Sequence, residues 1–331
     1  MVQIYTKPQE KLWQGRNDGN GPQHARFFQK VELRNSDSLA VEKERNTYCF
    51  IGFACDEGVK RNQGRPGAAL APDEIRKKIA NLPYHLADRT KIIDIGNIVC
   101  EGGDLEGAQK ELGKMVRQIL QTSIFPIILG GGHETLYGHY LGVRSYLGES
   151  LSLGIINIDA HFDLRENPTP TSGTMFRQIL EEDPKAGYLA LGIQLLGNTR
   201  KLFTTADKYN CIYVLEEDVE NYGETFRVID RFAEKYDALI LTLCTDVITS
   251  QSAPGVSAPS PFGLDPKTVR TLIRYIAKKE HLYSFDISEV NPLFDIDGKT
   301  VRLAAFLIAE FLQSRNNGVH HHHIRKEKDH D

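Results

Sequence analysis

The chain of 331 residues reads as an α/β protein, a mainly parallel sheet flanked by helices. Three observations predict this. Apolar runs such as Ile127-Ile128-Leu129 and Gly154-Ile155-Ile156-Asn157-Ile158 lack polar alternation, which suits strands buried on both faces. From residue 47 onward, strand-length and helix-length segments alternate about eight times, the order of an α/β fold. No Gly/Ser linker, composition break or internal repeat interrupts residues 47–315. One domain is therefore expected there, between a polar arm (1–46) and a charged, His-rich tail (316–331). The alternation suits either an eight-stranded barrel or an open doubly wound sheet, and periodicity does not separate the two.

Taken in order, the arm holds Trp13 and a turn-rich Gly15–Pro22 stretch, with little periodic pattern. The aromatic and β-branched run Tyr48–Ala54 predicts the first strand, followed by a helix over Pro72–Ala80. Lys91–Val99 and Phe125–Gly130 are the next two strands, separated by a long amphipathic helix over Leu105–Gln121. A helix over Glu134–Tyr146 leads to the strand Leu151–Asp159, and one over Thr174–Glu182 to the strand Tyr188–Gly192. The pattern continues with a helix over Thr199–Tyr209, strand Cys211–Leu215, helix Val219–Lys235 and strand Ala238–Cys244. Helix Pro266–Lys279, strand Leu282–Ile287 and a last helix over Thr300–Ser314 complete the series. The run His320–His323, beside Arg325 and Lys326, reads as a solvated tail.

Lys and Arg number 40 against 44 Asp and Glu, for a net charge of -4. That near-balance lacks the electrostatic footprint of a nucleic-acid or anionic-membrane binder. The longest apolar runs, Phe125–Leu129 and Leu153–Ile158, fall far short of a membrane span. The first residues have no apolar core of the kind a secretory signal needs. Five cysteines (Cys49, Cys55, Cys100, Cys211, Cys244) form no disulfide framework, so a cytoplasmic address is expected.

In α/β folds the active-site residues lie just past the carboxyl ends of the strands. Four expected strands end in polar chemistry: Gly130-Gly131-Gly132-His133-Glu134, Asp159-Ala160-His161-Phe162-Asp163, Cys244-Thr245-Asp246 and Asp286-Ile287-Ser288-Glu289. If the chain stays extended, Asp159, His161 and Asp163 share one face. Two carboxylates and an imidazole are costly to bury together unless paired or metal-bound. With His133 and Asp246 at neighbouring strand ends, a metal centre is the better reading. Its oxygen-rich, imidazole-containing donor set suits Mn²⁺, Fe²⁺, Co²⁺ or Zn²⁺. The triple glycine permits a sharp strand-to-helix turn. It lacks the Lys-Ser/Thr of a Walker loop and the spacing of a dinucleotide fingerprint, and no GxSxG elbow occurs.

At these residues the chain resembles the ureohydrolase superfamily, which includes arginase, agmatinase and formimidoylglutamase. GGGHE, NIDAHFDLR and LTLCTDV stand in that superfamily's order, with SEVNP after them and Gly58-Val59-Lys60-Arg61-Asn62 and Gly64-Arg65-Pro66-Gly67-Ala68 before. The resemblance spans about residues 48–312. It is closer to the formimidoylglutamase branch in Trp13-Gln14-Gly15-Arg16-Asn17-Asp18-Gly19, Ser172-Gly173-Thr174, Phe176-Arg177-Gln178, Gly192-Ile193-Gln194 and Ala253–Pro259. No His stands near Phe176, where arginases and agmatinases usually carry one.

The resemblance implies a three-layer α/β/α arginase-like fold around a central, mainly parallel eight-stranded sheet. It implies two Mn²⁺ ions per subunit, held by His133, Asp159, His161, Asp163, Cys244 and Asp246. Cys244 stands where most of the superfamily has Asp, although formimidoylglutamases share the Cys; a coordinated thiol ligates as thiolate. The implied reaction is hydrolysis of N-formimidoyl-L-glutamate to L-glutamate and formamide, a step of histidine degradation, by attack of a metal-bridging hydroxide. Asp163 is expected to relay a proton to the departing amine, and Glu289 to accept hydrogen bonds from the amidinium. For the substrate's carboxylates, Arg177, Asn198 and Arg65 are the expected partners. The same fold and metal site would serve a guanidino substrate, and a metal-poor, non-catalytic homologue is the non-enzymatic alternative. The implied partner is a small molecule, and the superfamily's habit is a homo-oligomer.

Overall fold

Strands without polar alternation need apolar cover on both faces, and the chain supplies it. The computed structural model describes residues 4–19, 21–41 and 46–317; the His320–His323 tract lies outside the described residues. In chain order the elements are β1 (Tyr5–Thr6), β2 (Val31–Leu33), β3 (Thr47–Ala54), α1 (Glu57–Arg61), α2 (Ala71–Ala80), β4 (Lys91–Val99) and α3 (Leu105–Gln121). Next come β5 (Phe125–Leu129), α4 (Thr135–Leu147), β6 (Leu153–Ile158), α5 (Met175–Glu182), β7 (Ala186–Ile193) and α6 (Arg200–Lys208). Then follow β8 (Ile212–Leu215), α7 (Tyr222–Ala233), β9 (Ala238–Cys244), α8 (Pro266–Ile276), β10 (Leu282–Ser288) and α9 (Lys299–Asn317).

All the expected strands form, and they join one sheet in the order β1-β4-β3-β5-β10-β9-β6-β7-β8, with β2 also on β4. Only the short β1 pairs antiparallel. The order does not close on itself, so the sheet is open and the barrel reading is set aside. The sheet has ten strands rather than eight, because β1 and β2 arise from the polar N-terminal segment. Apolar side chains of α2, α7, α8 and α9 cover one face, and those of α3, α4, α5 and α6 the other. Among the described residues no helix is long and apolar enough to cross a membrane.

The N-terminal segment is held by a buried polar cluster that its composition does not announce. Arg76, on α2, is fully buried. Its Nε and Nη2 donate to the two carboxylate oxygens of Asp94 at 2.9 and 2.8 Å, and its Nη1 donates to Asn97 Oδ1 at 2.6 Å. Trp13 Nε1 donates to Asp94 Oδ2 at 2.7 Å, while its ring stacks on Phe50. Further on, Asp18 pairs with Arg16 and Arg26. The WQGRNDG segment thus anchors to the sheet beside β4, and none of its residues lines the cavity described below.

For the site, the decisive feature is that β5, β10, β9 and β6 are consecutive neighbours in the middle of the sheet. Their parallel pairing sends four chemically rich strand ends to the same edge.

Candidate metal centre

Each strand end turns differently. After β5, a Cβ added to Gly131 would lie 1.8 Å from the Cys55 carbonyl oxygen, so only glycine allows the backbone this close. His133 follows, and the next residue, Glu134, is buried with Oε1 accepting the Gly58 N–H at 2.8 Å. That bond ties the GGGHE loop to the Gly58–Asn62 segment.

After β6 the chain bends rather than staying extended. The Asp159 carboxylate accepts the His161 N–H at 2.8 Å, and Asp163 takes a left-handed backbone conformation at φ 49°. The convergence of Asp159, His161 and Asp163 therefore comes from a side-chain-stabilised turn and not from alternation along a strand. Glu289, past β10, is also left-handed at φ 67°, with its N–H bonded to Gly131 O at 2.8 Å. Such conformations cost about 1–3 kcal/mol each in non-glycine residues and cluster at functional sites.

Two ligand groups result. His133, Asp159 and Cys244 each offer a donor atom within 4.8 Å of the others, and so do Asp159, His161 and Asp246. Asp159 belongs to both. His133 Nδ1 faces Asp159 Oδ2 at 3.1 Å and Asp163 Oδ2 at 2.9 Å. His161 Nδ1 faces Asp246 Oδ2 at 3.1 Å, and Asp246 Oδ1 is buried with no hydrogen-bond partner among the described residues. A single ring nitrogen set against two carboxylates, and a buried carboxylate oxygen without a donor, are costly unless a cation sits among them. These donors fit a divalent metal.

Electrostatics agree. Burial disfavours charge on His133, but hydrogen bonds to Asp159 and Asp163 outweigh it and hold the imidazole well above its usual range. His161 is raised likewise: burial opposes its charge, and Asp246 and Asp159 overcome it. Burial and the Asp159 charge lift Asp163 to about 6. Burial, with Asp246 and Glu134 nearby, lifts Glu289 to about 8. Burial and the same carboxylates push the Cys244 thiol up, so a thiolate there requires a cation.

Metal uptake must then displace imidazolium protons. Mn²⁺ affinity is expected to rise with pH between 6 and 8, by about tenfold per unit for each proton released. Electron paramagnetic resonance of free Mn²⁺ measures it, and a flat profile would mean the imidazoles are already neutral.

The centre lines a cavity of about 100 Å³ with His133, His161, Asp163, Cys244, Asp246 and Glu289 on its walls. It adjoins an outer cleft of about 340 Å³, and Asn62, Arg165 and Leu202 line both.

The residues expected to meet substrate carboxylates fare differently. Arg177 does not reach the cavity; its guanidinium is held by Glu181 at 2.8 Å and Glu166 at 3.1 Å. Arg65 is also outside, donating to the carbonyls of Val256 and Ser257 and lying over the Phe294 ring. Asn198 does line the cavity, but its hydrogen bonds are spent on the backbone. Its oxygen accepts the Phe162 N–H at 3.0 Å, and its amide donates to Ala160 and Gln194 carbonyls at 2.9 Å each. It braces the Asp159–Asp163 turn.

The residue that sequence reasoning passed over is Arg165. Of the cations lining the two cavities, Arg61 is paired with Glu106 at 2.7 Å and Lys201 with Glu166 at 3.2 Å. Arg165, exposed at their junction, has no carboxylate partner among the described residues. Its position two residues past Asp163, inside the NIDAHFDLR segment, was the available signal.

Comparison with known proteins places this geometry. The Arginase family model matches residues 46–313. A formimidoylglutamase of Geobacillus sp. (strain WCH70) is 52% identical over 313 residues, which cover 93% of this chain and 96% of that one. Among solved structures, formimidoylglutamase from Bacillus subtilis subsp. subtilis str. 168 superposes with a TM-score of 0.76 at 23% identity, covering 86% of this chain and 92% of that one. Trypanosoma cruzi formiminoglutamase with Mn²⁺ superposes with a TM-score of 0.75 at 24% identity, covering 86% and 98%. With the open parallel sheet, the two ligand groups at its centre and a family match over most of its length, this chain belongs to the arginase family.

Proposed function

We propose that this chain hydrolyses N-formimidoyl-L-glutamate to L-glutamate and formamide, with two Mn²⁺ ions held by His133, Asp159, His161, Asp163, Cys244 and Asp246. The observation that carries the reading is the pair of ligand groups sharing Asp159. Similarity to formimidoylglutamases over nearly the whole chain supports the substrate, and a neighbouring structure with Mn²⁺ supports the metal. A bound metal pair polarises the amidine and lowers the pKa of water.

The chain's own residues supply the rest. Glu289, its Oε1 accepting the His133 N–H at 2.9 Å, lines the cavity and receives the amidinium N–H groups. Asp163 Oδ2 moves a proton to the departing amine. Arg165, at the junction of cavity and cleft, holds a substrate carboxylate with its planar fork. Five unpaired cysteines support a cytoplasmic address.

Mn²⁺ reconstitution followed by product analysis tests the whole. Formamide is expected from formimidoylglutamate, with no urea from agmatine or arginine; urea release would favour a guanidino substrate. Arg165→Ala is expected to raise KM for formimidoylglutamate about 10- to 100-fold, the worth of a charge-assisted hydrogen bond at about 1.5–3 kcal/mol. An uncharged formamidine should be nearly unaffected, and Arg177→Ala should change neither. Equal effects on both substrates would remove Arg165 from this role.

A further inference from the structure

Beneath the centre lies a polar row that the reaction does not use directly. Ser284, Asp286 and Ser288 alternate along one face of β10, and Thr242 sits beside Asp286 on β9. All four are fully buried, as is His139 from α4. Thr242 Oγ1 donates to Asp286 Oδ1 at 2.8 Å, and Ser288 Oγ donates to the same oxygen at 3.1 Å. The second oxygen, Oδ2, meets His139 Nδ1 at 2.7 Å, and His139 Nε2 meets Ser284 Oγ at 2.5 Å. A carboxylate buried on a central strand of an apolar sheet is expensive to keep.

The row ends on a ligand. Thr242 Oγ1 lies 3.1 Å from His133 Nε2. A threonine hydroxyl has one proton, and this one goes to Asp286, so toward His133 the oxygen accepts. Nε2 therefore carries a hydrogen, which leaves Nδ1, 3.1 Å from Asp159 Oδ2 and 2.9 Å from Asp163 Oδ2, as the atom that would meet a metal ion once its own proton is displaced. His161 has no such support: among the described residues the polar partners of its ring are Asp159 and Asp246, both at Nδ1.

We infer that Thr242 and Asp286 are positioning residues that set the metal affinity of the His133–Asp159–Cys244 group and leave the Asp159–His161–Asp246 group alone. The inference rests on the metal-centre reading above. Partners behind a ligating histidine fix its orientation and raise its basicity, and their loss typically costs about 10- to 100-fold in metal affinity.

The test is Mn²⁺ titration of metal-depleted protein, counting ions and their affinities by electron paramagnetic resonance, with circular dichroism melting as the fold control. Thr242→Val keeps the shape and removes the hydroxyl. It should weaken one of the two ions about 10- to 100-fold and leave the other unchanged, while Thr242→Ser should restore wild-type binding. Asp286→Asn is the variant most certain to fold, since its amide oxygen can accept from Thr242 and Ser288 and its nitrogen can donate to His139. It should weaken the same ion by a smaller factor. Two ions bound with wild-type affinity by both Thr242→Val and Asp286→Asn would overturn the inference, as would equal weakening of both ions. A wild-type protein that takes up no Mn²⁺ would instead bring down the metal-centre reading itself.

Discussion

Asp159→Asn is expected to abolish hydrolysis and to empty both metal positions. The side chain is fully buried and is the one residue common to the two ligand groups. An amide keeps the oxygen that accepts the His161 N–H, so the turn after β6 should survive. Its nitrogen, however, would replace Oδ2, which now lies 3.0 Å from the Asn157 Nδ2 donor and 3.1 Å from His133 Nδ1. Donor would meet donor on one side, and a charge that draws a cation would be gone on the other. Metal polarisation supplies several kcal/mol of transition-state stabilisation. At 1.36 kcal/mol per decade, its loss is about 10³-fold in rate. Metal content by atomic absorption and formamide release together check this. A variant that keeps two ions and activity within tenfold of wild type would show that Asp159 is not the shared ligand.

The largest expected effect on stability lies elsewhere, at Arg76→Met. Removing the guanidinium leaves Asp94 fully buried with the Trp13 indole as its remaining side-chain donor. Breaking a buried pair by taking away one partner costs about 3–5 kcal/mol, because the other charge stays behind uncompensated. Urea unfolding should show a loss of that size. Asp94→Asn in the same background should recover part of it, since a neutral amide is cheaper to bury. A loss under about 1 kcal/mol for Arg76→Met alone would mean that water reaches Asp94 and that the cluster is not closed.

How much of this was legible in the sequence depends on the range of the interaction. The strand ends were legible because two-sided burial writes itself into continuous apolar runs such as Ile127–Leu129, and a polar residue just past such a run stands out. The N-terminal segment was not. Its two short strands pair with β4 and Trp13 meets Asp94, 81 positions on, and no local periodicity encodes those pairings. The surroundings of the arginines were hidden for a related reason. Arg177 and Arg165 are equally cationic in the sequence, and only the placement of Glu166 and Glu181 decides that Arg177 is paired, whereas Arg165 has no carboxylate partner among the described residues.

By itself, the sequence determined the α/β class and the order of its main strands and helices, and it raised the candidate metal ligands. Local chemistry and periodicity are properties of short windows, so they survive without coordinates. The tertiary structure alone decided that the sheet is open, that β5, β10, β9 and β6 lie side by side, and that Asp159 serves two ligand groups. It also decided that Thr242 and Asp286 stand behind His133. Each of these is a statement about which distant segments become neighbours, and in a parallel sheet every such neighbour is reached only through a long crossover.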